Sequence, residues 1–416
     1  VENITGEPNI MKILQVCHNI QSSGGKDWVA EADKRLLKKN GHRIIHLGHE
    51  NRRAVNVSGY PASYPAQLHR EQSSSIVQLI QKHRPNLVHI YNTISTGYSQ
   101  LSITCQKLGL PIIHSLYRYE ALCPKSSFFY SNKLCISCMK QFMLKHDEQQ
   151  RCCRDNQNQI TDIRKMIRDY WDQKACHGSV DYYLVPTEFF REKLIEYGFP
   201  NHKVVVKPHF SSDETILPTG RQGEDYALFI GKLTEESGIR TLLSAWSSLP
   251  GIPLKILGDG PLRQEVEAAC SRYRNIKFLG WQSKIDCTYH LARALLLVFP
   301  KESHEVFPST IIRAYAYGVA VIASDLEGME QFVIDGVSGC LFPPADARAL
   351  AEKALWLWEN RDILTSIREG ARVEYEEKYS EEKNYQLLMS IYQDALSQKK
   401  RAAAKHSRNI YHLQSL

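Results

Sequence analysis

No apolar run in the chain approaches the roughly 20 residues that a membrane span needs, and its first residues lack a signal-peptide hydrophobic core. Those absences set the expectation of a cytoplasmic protein, with peripheral contact at the inner membrane face. Strong charge of one sign is missing as well. A net charge of +7 over 416 residues is mild. It suits an acidic partner or an anionic membrane surface. With no aromatic–basic motif beside it, nothing favours nucleic acid. An even cysteine count is also absent: there are eleven, several inside apolar segments such as ILQVC. That usage points to a reducing compartment rather than a disulfide framework.

What is present is ordinary for a soluble globular protein, at 43% hydrophobic and 23% charged residues. The length suits two domains better than one. Residues 1–10 are polar and aperiodic and read as a disordered leader, Met11 being a better start. MKILQVC then reads as a strand, the stretch around Gly24 and Gly25 as a glycine-rich turn, and the residues after it as an amphipathic helix closed by Asn40-Gly41. Strand, glycine turn, helix and strand (HRIIHLG) open a doubly wound α/β domain. The alternation recurs through NLVHIYN, LPIIHSLY and DYYLVP, with polar strand tips at Asn92, Tyr117 and Thr187. Near-continuous apolar strands between helices imply a parallel sheet covered on both faces.

This first domain, 11–205, carries a cysteine-rich insertion at 120–176. Cys135 and Cys138 form a C-x-x-C pair, with Cys123 upstream and Cys153 downstream. Such thiolates suit a structural zinc ion, although reduced thiols in a mobile insertion are the competing reading. Ile160 to Lys174 reads as a basic amphipathic helix that packs on its own domain or lies on a membrane. Residues 206–224 form a linker. The same grammar then restarts over 225–380 and is followed by a long helix at 381–397 and a basic flexible tail at 398–416. Within the second half, LLLVFPKESHEVFPSTIIRAYAYGVAVIAS delivers a strand, a polar loop and a helix N-terminus near Ser309. That arrangement is how an open α/β sheet builds an anion site.

From Met11 to about Leu396 the chain resembles the family-4 retaining glycosyltransferases of GT-B fold, closest to the bacterial enzymes of capsule, lipopolysaccharide and exopolysaccharide assembly. The resemblance rests on GKLTEESG at Gly231 to Gly238, GDGPLRQEVE, NIKFLG and the Leu297 to Val333 segment. It also rests on the opening Gly-Gly turn, HIYN and the LYRYEALCP segment. It implies two Rossmann-like doubly wound parallel-sheet domains facing a central cleft, with the final helix crossing back to the first. The implied activity moves a sugar from a nucleotide diphosphate donor to a glycan or lipid-linked acceptor, with retention of anomeric configuration. No cofactor is required beyond the nucleotide-sugar co-substrate.

Carried over position by position, Glu305 matches the carboxylate that holds the donor sugar. Lys232, Phe307, Pro308 and Ser309 meet the diphosphate, and Arg313 and Gly258 fall in the nucleoside region. Gly24, Gly25 and Tyr117 lie on the cleft and acceptor side. Four positions depart from the family pattern. Arg313 stands where a ribose-binding carboxylate is expected, and an arginine has no acceptor to replace it. Lys232 replaces an arginine, Ser237 a lysine, and Tyr117 a histidine. A lapsed scaffold or partner subunit therefore stands as the alternative function. The sugar-nucleotide 2-epimerases share the architecture, but no clear acid/base set supports them.

Overall fold

The structure is a computed structural model that describes residues 10–19, 28–50, 77–91, 98–117, 129–130, 133–134, 178–196, 198–212 and 225–413. The first half forms a six-stranded parallel sheet from β1 (Lys12–Asn19), β2 (Arg43–Glu50), β3 (Leu87–Tyr91), β4 (Ile112–Ser115), β7 (Tyr182–Val185) and β8 (Val204–Val206), in the order β2-β1-β3-β4-β7-β8. Within the inserted stretch, β5 (Phe129–Tyr130) and β6 (Lys133–Leu134) pair as an antiparallel hairpin. The cysteines proposed as zinc ligands lie outside the described residues, as do Gly24 and Gly25.

The second half builds β9 (Ala227–Ile230), β10 (Leu254–Leu257), β11 (Ile276–Gly280), β12 (Leu296–Phe299), β13 (Ala320–Ser324) and β14 (Gly339–Phe342), ordered β11-β10-β9-β12-β13-β14. This is the 3-2-1-4-5-6 order of a dinucleotide-type sheet. Every residue of β3, β12 and β13 is buried, because helices cover both faces. That is why these strands lack a polar alternate position. The expected two-domain doubly wound architecture is the one observed.

The chain passes between the halves twice, and the two passages are fastened together. A π-helical turn at Tyr375–Tyr379 leads into the final helix. There the Tyr375 hydroxyl donates to the Ser211 carbonyl at 2.8 Å, and the Asn384 amide to that of Pro208 at 2.6 Å. The described part of the expected linker is thus well anchored, with Lys207 and His209 buried. The final helix places Leu388, Ile391, Tyr392 and Ala395 in one core with Ile13, Leu37 and Leu184 of the first half. It runs from Glu381 to Leu413, so the stretch expected as a flexible tail is helical over most of its length. The sequence KKRAAAK consists of strong helix formers continuing an established helix, which removes the cost of nucleation.

Candidate active site

Ligands of open α/β sheets sit outside the carboxyl ends of the strands, where the strand order reverses. In the second sheet that point lies between β9 and β12, which pair directly through Leu296 opposite Ala227. The turn after β9 and the loop after β12 are therefore neighbours. Bonds fix them to each other: the Glu302 amide donates to the Glu236 carbonyl at 3.0 Å, and the Thr241 hydroxyl to Glu302 Oε1 at 2.6 Å. Gly238 sits at φ 70°, and a Cβ there would fall 1.6 Å from the Pro300 carbonyl oxygen. Only glycine allows that approach.

Lys232 projects exposed from the β9 turn and makes no ion pair among the described residues. Ser237 behaves differently. Its buried hydroxyl donates to the Thr234 carbonyl at 2.6 Å and accepts from the Thr234 amide at 3.3 Å, closing a capping box around the turn. The charge absent at this position is thus accompanied by a structural use of the serine.

The loop after β12 carries Lys301, His304 and Glu305. Lys301 Nζ lies 3.6 Å from Glu305 Oε2, with the glutamate side chain 36% exposed. Phe307 turns its ring inward against His209 and Phe332, at 4.8 Å and 5.4 Å between centroids, so only its main chain can meet a ligand. Pro308 starts the Ser309–Ala316 helix, and no side chain caps that start. The Ser309 amide turns back to the Phe307 carbonyl at 2.9 Å. An uncapped helix start keeps its partial positive charge available to an anion.

The first sheet closes the other side. Thr187 and Phe189, just past the tip of β7, line an open cleft with His304, Glu305, Glu327 and Gly328. Phe189 stacks flat on His304, 5.6 Å between centroids and 5° between planes. The Glu188 amide donates to Gln331 Oε1 at 2.9 Å across the same seam. Burial pushes the His304 imidazole below its ordinary value against the opposing charge of Glu327. At neutral pH it is an uncharged hydrogen-bonding group.

Of the residues expected from sequence, Glu305, Lys232, Pro308 and Ser309 gather at this switch point. Gly258 contributes through the backbone: at φ 146°, its Cβ would lie 1.8 Å from the Gly231 carbonyl oxygen. Arg313 is half-buried, and its Nη2 donates to Thr288 Oγ1 on the neighbouring Lys284–Arg293 helix at 2.8 Å. Tyr117 is buried, its ring edge-on to His209 at 5.5 Å. Phe189, His304, Glu327 and Gly328 were not singled out from sequence. Phe189 lies in the Glu188–Glu196 helix, a stretch that the sequence reading passed over. The other three follow buried strands at polar tips, and that rule alone would have found them.

The chain matches two family models, Glycosyltransferase Family 4 over residues 29–210 and Glycosyl transferases group 1 over residues 215–374. It is 29% identical over 183 residues to the O-antigen chain mannosyltransferase C of Escherichia coli, covering 42% of this chain and 48% of that protein. The chain spans about half the length of the curated relatives it matches. Among solved structures, a glycosyltransferase from Rickettsia africae superposes with a TM-score of 0.68 at 16% identity, over 93% of this chain and 99% of that one. Anabaena Alr3699/HepE in complex with UDP gives 0.62 at 15% identity, over 92% and 100%. At such identities the likeness carries the fold alone.

Proposed function

The chain belongs to the family-4, group 1 glycosyl transferases, and on that premise we propose that it transfers a sugar from a nucleoside diphosphate-sugar to a glycan or lipid-linked acceptor, with retention at the anomeric carbon. The observation that carries this reading is the convergence of Lys232, Glu305 and the uncapped Ser309–Ala316 helix start at the strand-order reversal, facing Thr187 and Phe189 across the cleft.

The chemistry follows from charge. When the glycosidic bond breaks, the nucleoside diphosphate leaves with added negative charge. A fixed helix N-terminus and cations stabilise that charge more in the transition state than in the ground state. Lys301, paired with Glu305, stands on the loop that Glu302 ties to Glu236 beside Ser237, and so supplies a cation to the loop pair where Ser237 withholds one. That supports a working transferase over a lapsed scaffold. Glu305 accepts hydrogen bonds from sugar hydroxyls, and neutral His304 can donate or accept beside it. Contact at a membrane and localisation in the cytoplasm belong to the same reading. No helix among the described residues is long and apolar enough to cross a membrane.

Calorimetry against UDP, GDP, ADP and dTDP should find saturable binding of one of them. Turnover of its sugar conjugate should fall by about 10²-fold in Glu305→Gln, the scale of one lost charged contact in the transition state. Proton spectroscopy of the product should show the donor's anomeric configuration kept. Absence of binding to all four at millimolar ligand would refute the proposal.

A further inference from the structure

The Lys284–Arg293 helix follows β11, the edge strand of the second sheet, and presents to solvent a row of large apolar side chains. Trp281 is 73% exposed, Ile285 81% and Tyr289 45%. Ile285 and Tyr289 stand four residues apart on one face of the helix, and Trp281 precedes them in the loop that leads into it. The buried side of the same helix carries Thr288 and Leu291, and Arg313 is bonded there. The exposed stripe is therefore the outer face, with its inner face already packed.

Positive charge borders the stripe. The Arg293 guanidinium lies 3.8 Å over the Tyr289 ring. Lys277 is exposed on β11, and Lys284 is exposed at the helix start. Burial first, then Lys255, Lys277 and Arg293, lower the proton affinity of His290 on this helix, against the opposing charge of Asp286. Asp286 is the only acid on the helix, and it accepts from the Ser283 hydroxyl at 2.6 Å.

We propose that this face docks the protein on an anionic lipid bilayer. Tryptophan and tyrosine favour the headgroup level, isoleucine enters the acyl boundary, and flanking lysine and arginine are drawn to anionic headgroups. A second copy of the chain fits less well, because a two-fold contact would set these cations against themselves. Trp281 sits at the carboxyl tip of β11, on the side of the sheet where the turns at Gly231 and Gly258 lie. Docking here holds the chain at the surface where a lipid-linked acceptor resides. The benefit for a lipid-linked acceptor rests on the transferase reading; the docking itself does not.

The test is co-sedimentation of the full chain with phosphatidylcholine vesicles, pure or mixed with phosphatidylglycerol, so turnover is not needed. The chain should bind the mixed vesicles, less at high salt. Ile285→Asp with Trp281→Ala should weaken binding about tenfold or more, and Lys277→Glu should weaken it independently. Unfolding curves and nucleoside diphosphate binding should match the parent in each variant. Any of four results overturns the proposal. These are no binding to anionic vesicles, equal binding by the variants, a dimer dissolved by Ile285→Asp, or nucleoside diphosphate binding lost in Trp281→Ala with vesicle binding unchanged.

Discussion

Arg313 shows how one residue type can mislead and inform at once. In sequence it stands where a carboxylate is expected, which opens the case for a lapsed enzyme. In the folded chain its Nη2 donates to Thr288, joining the helix behind the anion site to the helix at its flank. Arg313→Glu should therefore lose about 1–2 kcal/mol of stability in urea unfolding, one charged hydrogen bond at a half-buried site. It should bring no gain in nucleoside diphosphate affinity. A tenfold gain by calorimetry would sink the transferase reading and favour the lapsed one. Gly258 is a second residue whose role is set by space. A Cβ 1.8 Å from the Gly231 carbonyl forces the tips of β9 and β10 apart. Gly258→Ala should cost about 3 kcal/mol or more, measurable as a lowered unfolding midpoint with the donor turn displaced.

At the scale of elements, both halves share one rule: buried parallel strands that end in polar or glycine tips and are covered by helices. That rule was legible because all-apolar strands and amphipathic helices differ in period, and the helix expected to start near Ser309 does start there. The long final helix was only partly legible. Its apolar stripe is clear as far as Leu396, and the lysine- and arginine-rich stretch after it breaks that pattern before the helix ends at Leu413. Helix propensity extends it, a signal weaker than burial. Ser237 has a second use that its position in the sequence does not show. Matched by position it is a missing cation, but its hydroxyl closes the capping box of its own turn.

For the whole molecule, the determining feature is that the final helix belongs to the first half's core. His89 bonds Tyr392 of that helix at 2.6 Å and Ser115 at 2.8 Å. Beside it, Asp33 meets Lys207 Nζ at 3.2 Å, with both side chains almost wholly buried, and accepts from Tyr91 at 3.0 Å. Lys207→Met would leave the Asp33 carboxylate buried without its cation, at a cost of about 3–5 kcal/mol. Urea unfolding of that variant, with Asp33→Asn in a double-mutant cycle, measures it. Acid should act on the same region. Burial pushes His114 down to about 3 and holds His89 and His209 well below the ordinary value. Folded, they stay neutral, while the unfolded chain takes up protons below about pH 6.5. Stability is then complete above that pH and falls below it, by up to about 1.4 kcal/mol per pH unit for each histidine. Urea midpoints at about pH 7.5 and pH 5.5 should separate accordingly; coincident midpoints would refute it.

By itself the sequence determined the two doubly wound halves, the strand–loop–helix unit at Glu305 and the glycine turns, because each is written in a local period or a local steric need. Only the tertiary structure decided which strand tips face one another. Thr187 and Phe189 lie far from His304 and Glu327 in the chain, and no local pattern says that they share a cleft. It also decided what the ambiguous polar residues do. Whether an arginine or a serine faces a ligand or a neighbouring helix depends on packing, and packing is set by contacts at long sequence separation.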